Sequence, residues 1–158
     1  MSEIVIKMAD GGVMKAELYP NIAPITVANF LKLVEEKFFD GLIFHRVISG
    51  FMIQGGGYDA DMNHKEADSI KGEFAANGVT NDLKHTRGVL SMARTSFPNS
   101  ASSQFFIMHA DAPHLDGQYA AFGKLTEGFD VLDRIANVKT NFADSPLDAQ
   151  VIESIRFE

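Results

Sequence analysis

The hydrophobic pattern at the start of the chain predicts two paired strands. Residues 3 to 9 and residues 13 to 19 are rich in apolar side chains, and the turn sequence Asp10-Gly11-Gly12 separates them. Two apolar runs joined by an Asp-Gly turn are a strong sequence signal for a β-hairpin. The chain is therefore expected to open with a hairpin.

A helical pattern follows the hairpin. Pro24 suits the first turn of a helix, because proline lacks the N–H that this turn leaves unpaired. Four apolar residues then follow the i, i+3, i+4, i+7 spacing that buries one stripe of a helix: Val27, Phe30, Leu31 and Val34. We expect this helix to end near Lys37, before Asp40-Gly41.

The middle of the chain, from residue 42 to about 126, has short apolar runs interrupted by glycine, asparagine and proline, which favours strands and loops. The expected strands are Ile43–Val47, Met52–Gln54, Gly88–Ala93, Gln104–Met108 and Ala120–Leu125. Residues 57 to 86 are polar and are predicted to form an extended surface loop. The helical spacing from Phe129 to Ala136 predicts a second, shorter helix, and the alternation from Gln150 to Phe157 predicts a closing strand.

About seven or eight strands and two helices in a chain of this length predict a mainly β fold, an antiparallel barrel whose ends are plugged by the helices. Closure would remove the exposed strand edges that a flat sheet would leave. An open α+β sandwich is the alternative. No repeat or long polar stretch divides the 158 residues, so we expect a single domain over residues 1–158.

Composition narrows the classes of function. The formal net charge is -7, and the 14 basic residues are scattered, so nucleic acid is not expected as a partner, since phosphate contacts need clustered Lys and Arg. No apolar run approaches the length of a membrane span, and the start of the sequence lacks the features of a signal peptide. We expect a protein of the cytoplasm that does not insert into a membrane.

The sequence contains no pattern typical of a metal or cofactor site. The chain has no cysteine, which excludes disulfides, cysteine nucleophiles and zinc sites built on cysteine. The five histidines lack the spacing of metal ligands, and no phosphate-binding or nucleophile-elbow motif is present. No metal and no cofactor are expected.

Arg46 is the first residue that needs an explanation. It lies in a mainly apolar run, and a cation among apolar neighbours is costly unless it is paired, solvated at a rim or used in function. The arginine therefore marks a candidate binding groove.

A second observation concerns residues two apart in predicted strands, which share one face. Met52 and Gln54 should point the same way, and so should Gln104 and Phe106. If these two faces adjoin, they form an apolar pocket rimmed by amides and by Arg46. Ordinary barrel packing, with polar residues at the strand ends, is the alternative on spacing alone.

The residues of this region carry a family resemblance. The run from Phe44 to Gly56 resembles the sequence signature of the cyclophilins. Four further blocks occur in the family's order and spacing: Gly88–Ala93, Ser103–Ile107, Leu115–Gly117 and Phe122–Lys124. The resemblance extends from the first strand to the last, and the chain is most similar to short, single-domain bacterial members.

The resemblance implies a mainly β fold, a closed eight-stranded antiparallel β-barrel capped by two α-helices, which agrees with the barrel predicted from the elements. It also implies a peptidyl-prolyl cis-trans isomerase that catalyses rotation about X-Pro bonds and assists protein folding. Arg46 would be the catalytic arginine. The pocket for the proline ring would be formed by Phe51, Met52, Phe106 and Leu115.

The resemblance also implies polar contacts to the substrate. Gln54 would contact the substrate backbone, and Ala93 and Arg94 lie on the stretch whose main chain pairs with the peptide in the family. The surrounding shell would include His45 and Gln104.

Three positions depart from the family pattern. His114 stands where drug-sensitive members carry tryptophan, so weakened binding of the macrocycle cyclosporin is expected. Tyr119 replaces a histidine that many members have on the pocket rim, and Arg94 replaces a common asparagine. If the substrate contacts the main chain at position 94, arginine in place of asparagine should leave that contact intact.

The implied partners are proline-containing peptides and unfolded or partly folded proteins, bound by a monomer. The alternative function is a proline-peptide binding module or chaperone in which catalysis is incidental. Arg46 separates the two hypotheses, because a binding module could do without it, whereas an isomerase that loses it should lose turnover while keeping its affinity for the peptide.

Overall fold

The computed structural model describes residues 2–158, which form eight strands, two α-helices and two short 3-10 helices. The strands are β1 (Ser2–Met8), β2 (Val13–Leu18), β3 (Leu42–Ile48), β4 (Met52–Asp59), β5 (Val89–Met92), β6 (Phe105–Met108), β7 (Ala121–Glu127) and β8 (Ile152–Phe157). The α-helices are α1 (Pro24–Glu35) and α2 (Phe129–Ala136), and the 3-10 helices are Ala75–Asn77 and Pro113–Leu115.

The strands form one antiparallel sheet in the order β3-β4-β6-β5-β7-β2-β1-β8. Its two end strands meet where the Phe44 N–H donates to the Gln150 carbonyl (3.0 Å) and the Gly41 N–H donates to the Ile152 carbonyl (2.8 Å). An isolated bridge between Ile43 and Val151 joins the same edges. The predicted eight-stranded barrel with two helices is confirmed, with closure made by a few bonds, and the alternative of an open sandwich is wrong.

The first helix ends two residues before the expected Lys37. Lys37 has a φ of 58°, its N–H donates to the Val34 carbonyl (3.1 Å), and the Phe38 N–H donates to the Leu33 carbonyl (2.9 Å). These two bonds form a Schellman motif, which stops a helix with a left-handed residue. The buried stripe also differs slightly, because Leu33 is buried whereas Leu31 is only partly buried.

The prediction of a surface loop over residues 57 to 86 is wrong in part. Strand β4 continues to Asp59, and Glu73 and Phe74 are buried. The Glu73 carboxylate accepts hydrogen bonds from the backbone N–H (2.6 Å) and the hydroxyl (2.7 Å) of Thr26. It thereby satisfies an N–H in the first turn of α1, whose own N-cap residue Ala23 makes no side-chain bond. A buried carboxylate in a polar segment gives no hydrophobic signal in the sequence.

Strands β4 and β6 present apolar residues on both faces. Ile53 and Ile107 lie in the barrel core, where the Phe30 ring contacts the Phe105 ring at a centroid distance of 5.3 Å. The outer face carries a second buried cluster: Met52, Val89, Phe106, Met108, Ala112, Leu115 and Ala121. This outer cluster forms the base of the site described below. Neither α-helix in the described part of the chain has the length and apolarity needed to span a bilayer.

Candidate active site

A cavity of about 180 Å³ lies on the outer face of β4 and β6. Nine residues line it: Arg46, Phe51, Met52, Gln54, Ala93, Arg94, Phe106, Leu115 and Tyr119. All nine are among the residues singled out from the sequence. The other three, His45, Gln104 and His114, lie beside the cavity and do not line it.

Strand register explains why distant residues meet here. Arg46 on β3 is paired with Gln54 on β4, Gln54 with Phe106 on β6, and Phe106 with Ser91 on β5. Residues paired directly across neighbouring strands face the same side of a sheet. The expectation that the faces of Gln54 and Phe106 adjoin is therefore confirmed.

The Arg46 side chain is exposed at the cavity rim. Each of the other four arginines donates hydrogen bonds to protein oxygen atoms: Arg87, Arg94, Arg134 and Arg156. Arg46 has no such partner within residues 2–158. Of the three ways to accommodate a cation in an apolar run, the structure shows solvation at a rim, which leaves the guanidinium N–H groups available to a ligand.

Gln54 is oriented by Gln104. Its Nε2 donates to Gln104 Oε1 at 3.0 Å, so the Gln54 carbonyl oxygen stays available to a ligand. Gly57 makes this contact possible, because a Cβ at position 57 would lie 2.5 Å from Gln104 Cγ. Gln104 therefore acts on the cavity through Gln54 and not as part of its lining.

Aromatic rings form much of the apolar lining. The Phe106 and Tyr119 rings meet edge to face at a centroid distance of 5.7 Å. The Phe51 ring packs against the exposed imidazole of His114 at 5.8 Å, which places His114 on the outer side of the lining. Phe51 and Tyr119 are only partly buried, so the cavity opens to solvent between them.

The Arg94 side chain holds the Tyr119 ring. Its guanidinium carbon lies 4.8 Å from the Tyr119 ring centroid and 4.6 Å from that of Phe74, distances typical of cation–π contacts. Arg94 NH2 also donates to the Gln118 carbonyl at 2.6 Å. The Arg94 side chain thus stabilises the rim of the cavity. No local sequence pattern indicated these contacts, although a lone phenylalanine in a polar stretch could have marked Phe74 as a packing residue.

A buried polar network lies beneath Phe106. Ser91 Oγ is 2.8 Å from His85 Nε2, and His85 Nδ1 is 3.1 Å from Asp116 Oδ1. The His85 ring stacks on the Phe106 ring at a centroid distance of 6.0 Å. Burial lowers the pKa of His85 more than the Asp116 carboxylate raises it, so the imidazole is neutral at pH 7.

These three groups have the order of a catalytic triad but cannot act as one. Ser91 and His85 are 0% and 1% exposed, so no substrate reaches the hydroxyl. The network instead supports the Phe106 ring and, through Asp116, the adjacent Leu115. Sequence analysis missed both residues, because Ser91 lies under the cavity through the register of β5 and β6, and His85 through its contact with Ser91.

His45 occupies an irregular position in β3, where the register shifts between Phe44 and Arg46. Its ring packs on Tyr58 at 4.7 Å, and its Nδ1 is buried without a hydrogen-bond partner. Burial, followed by the charges of Arg46 and His64, lowers its pKa to about 4. A neutral His45 leaves Arg46 as the cation at this rim.

The site offers a small apolar cavity, an oriented amide and an available guanidinium. It can hold a compact apolar ring while a charged donor reaches an atom beside that ring. No group of three or more His, Cys, Asp or Glu side chains that could hold a metal ion occurs within residues 2–158.

Comparisons with known proteins agree with this geometry. The family model described as cyclophilin type peptidyl-prolyl cis-trans isomerase/CLD matches residues 4–157. A peptidyl-prolyl cis-trans isomerase of Acinetobacter baylyi is 52% identical over 136 residues, which cover 82% of this chain and 70% of the relative. Peptidyl-prolyl cis-trans isomerase B of Escherichia coli is 43% identical over 146 residues, which cover 84% of this chain and 86% of the relative.

Solved structures of the same family also match this chain. The crystal structure of a cyclophilin type peptidyl-prolyl cis-trans isomerase of Cryptosporidium parvum has a TM-score of 0.88 at 32% identity and covers 99% of this chain and 97% of that chain. Another crystal structure of that protein, in the presence of the dipeptide Ala-Pro, has a TM-score of 0.87 at 33% identity and covers 99% of this chain and 98% of that chain.

Proposed function

The chain belongs to the family of cyclophilin-type peptidyl-prolyl cis-trans isomerases, and we propose that Arg46 supplies the catalytic hydrogen bond in its isomerisation of X-Pro peptide bonds. The family model and the named relatives carry the assignment of isomerase activity. The role of Arg46 rests on one observation. Its guanidinium is exposed at the rim of an apolar cavity and has no hydrogen-bond partner within residues 2–158.

The chemical problem is rotation about a bond with partial double-bond character. Amide resonance gives a barrier of roughly 18–20 kcal/mol, so uncatalysed exchange at proline takes tens of seconds or more. Lowering the barrier by about 7 kcal/mol would accelerate exchange by about five orders of magnitude. A catalyst must therefore bind the twisted amide more tightly than either planar isomer.

Arg46 can provide this difference in binding. In the twisted amide the proline nitrogen becomes pyramidal and regains a lone pair, which can accept a hydrogen bond that the planar ground state cannot. A guanidinium donor aimed at this nitrogen stabilises the transition state selectively. Arginine suits the role because its charge is permanent and its fork of donors is planar and rigid.

The apolar lining holds the proline ring during rotation. Phe51, Met52, Phe106 and Leu115 surround a space on the same face as Arg46. Since the ring is held while the guanidinium acts at its nitrogen, the bond rotates by movement of the chain on the other side of the imide.

Polar groups anchor the rest of the peptide. The Gln54 carbonyl oxygen, oriented by Gln104, accepts from a substrate N–H. The Ala93 N–H already donates to the Gln104 carbonyl at 3.0 Å, so main-chain pairing with the substrate falls to the Ala93 carbonyl and the Arg94 N–H. A contact through the Arg94 main chain does not depend on its side chain, which is engaged with Tyr119.

The proposed substrates are proline-containing peptides and unfolded or partly folded proteins. The Cryptosporidium parvum neighbour solved in the presence of Ala-Pro supports a proline peptide as the ligand. The net charge of -7 argues against nucleic acid, and the absence of cysteine is compatible with action as a monomer in the reducing cytoplasm. His114 in place of tryptophan favours weakened binding of cyclosporin.

Exchange NMR on a short Ala-Pro peptide tests the activity directly. Catalytic amounts of the protein should broaden or exchange the cis and trans proline resonances, which interconvert in tens of seconds or more without catalyst. Unchanged exchange in the presence of folded protein would overturn the proposed function. Peptide binding without faster exchange would favour the alternative, a proline-peptide binding module.

A further inference from the structure

The turn between β3 and β4 carries Phe51 into the cavity lining. The Phe51 N–H donates to the Ile48 carbonyl at 3.0 Å, and Gly50 has a φ of +79°. This conformation is that of the third residue of a type II turn, which glycine favours. The Gly50 N–H points to the imidazole of His109, with a distance of 2.8 Å to Nδ1.

The other nitrogen of His109 faces helix α2. Nε2 lies 3.0 Å from Asp133 Oδ1, and Arg87 holds the same carboxylate with two bonds of 2.7 and 3.0 Å. Because the Gly50 N–H can only donate, Nδ1 must be the unprotonated acceptor. The ring hydrogen is therefore on Nε2 and is donated to Asp133, which fixes one neutral tautomer.

The bond to Gly50 fixes the orientation of the Ser49–Gly50 peptide. A flip of this peptide converts a type II turn into a type I turn and reverses the direction of the Gly50 N–H. The same strand end is held at two more points, since the His109 N–H donates to the Phe51 carbonyl (2.9 Å) and Ser49 Oγ donates to Asn137 Oδ1 (2.7 Å). These bonds hold the rest of the turn in place. The His109 ring restricts the one motion still open to it, the flip of the Ser49–Gly50 peptide.

We propose that His109 is a positioning residue for the isomerase reaction, whose neutral ring locks the Ser49–Gly50 peptide and so holds Phe51 against the proline ring. The proposal rests on the proposed function, since it concerns the same cavity. Phe51 contacts the proline ring in the planar and twisted states alike, so its displacement weakens both states equally. Such a change raises KM and leaves kcat nearly unchanged.

Two variants of His109 distinguish a positioning role from a general structural role. His109→Asn places a carbonyl oxygen near the site of Nδ1, so it keeps an acceptor for Gly50. His109→Gln can reach Asp133 but has no acceptor near Nδ1. Gly50→Ala is an independent variant, because its Cβ meets no atom within 4 Å while the φ of +79° becomes unfavourable and the flipped turn is preferred.

The experiment measures kcat, KM and the dissociation constant of an Ala-Pro peptide for the wild type and these variants. His109→Gln and Gly50→Ala should raise KM and Kd about fivefold, the factor expected for one lost hydrogen bond, with kcat nearly unchanged. His109→Asn, which keeps the acceptor, should match the wild type in KM and Kd. A scalar coupling between the nitrogens of Gly50 and His109 Nδ1, detected by NMR in the wild type, reports the bond itself.

Unchanged KM and Kd in His109→Gln and Gly50→Ala, or a loss of kcat alone, would overturn the proposal. So would a rise of KM in His109→Asn equal to that in His109→Gln. Because Kd needs no turnover, a wild type that binds the peptide without catalysis would refute the proposed function and leave this test intact.

Discussion

Gln54 and Gln104 are joined by a hydrogen bond of 3.0 Å between their side chains, although they lie 50 positions apart in the chain. One amide thus orients another, and only the first lines the cavity. The bond engages the Gln54 amide nitrogen and leaves its carbonyl oxygen available to a ligand. Gln104 therefore affects substrate binding indirectly, through Gln54.

Replacement of Gln104 tests this relationship. Gln104→Met keeps the size of the side chain but removes the acceptor, so Gln54 becomes free to rotate. We expect KM for a proline peptide to rise about fivefold, the effect of about one hydrogen bond, with a small change in kcat. Steady-state kinetics that show an unchanged KM would mean that Gln54 does not need this partner.

A double-mutant cycle with Gly57 provides the control. Gly57→Ala places a Cβ 2.5 Å from Gln104 Cγ and should displace that side chain, with a similar rise in KM. In a Gln104→Ala variant, Gly57→Ala should raise KM little further, because the Gln104 atoms that would clash with the new Cβ are absent. Additive effects of the two changes would contradict the contact.

The sequence predicted the element order and most of the cavity lining, because both depend on local patterns. Alternation, turn residues and helical spacing located the eight strands and two helices, and the family blocks identified Arg46 and the apolar lining. Strand ends were less well predicted, since glycines in β4 obscure its continuation to Asp59.

Contacts that depend on register or on long loops could not be predicted from the sequence. Glu73 appears as a solvated charge until its bond to Thr26 is seen. The pairing of β5 with β6 places Ser91, the hydrogen-bond partner of His85, beside Phe106. His45, Gln104 and His114 lie outside the cavity lining, and the substrate roles of all the site residues stay predictions.

The lowered pKa of His45 predicts a loss of stability in acid. The folded-state pKa of about 4 lies below the ordinary value of 6.5, so on acidification the unfolded chain binds a proton first. Stability is full above about pH 6.5 and is lost progressively as the pH falls toward 4. The contribution of His45 to this loss should be about 2 kcal/mol by about pH 5.

Denaturant unfolding near neutral pH and near pH 5 checks this expectation. His45→Phe keeps a ring against Tyr58 and removes the titrating group, so its free energy of unfolding should fall less on acidification than that of the wild type. His85, whose pKa is also lowered by burial, should account for part of the remaining loss. Equal losses in the wild type and His45→Phe would show that His45 does not stay neutral in the folded protein.

His114 predicts the response to cyclosporin. The imidazole is exposed and covers the Phe51 ring, whereas an indole would bury more apolar surface and add an N–H donor. We expect weak binding to the wild type and a gain of about tenfold in His114→Trp, measured by calorimetry. Low-nanomolar binding to the wild type, or no gain in the variant, would contradict this prediction.

The most direct test of the account compares Arg46 variants by exchange NMR on an Ala-Pro peptide, with Kd measured on the same samples. Arg46→Ala should lower kcat about 100-fold or more while Kd stays within about twofold, because the guanidinium acts on the twisted amide. Arg46→Lys should recover little, since lysine lacks the planar fork. Undiminished turnover in folded Arg46→Ala would contradict the account.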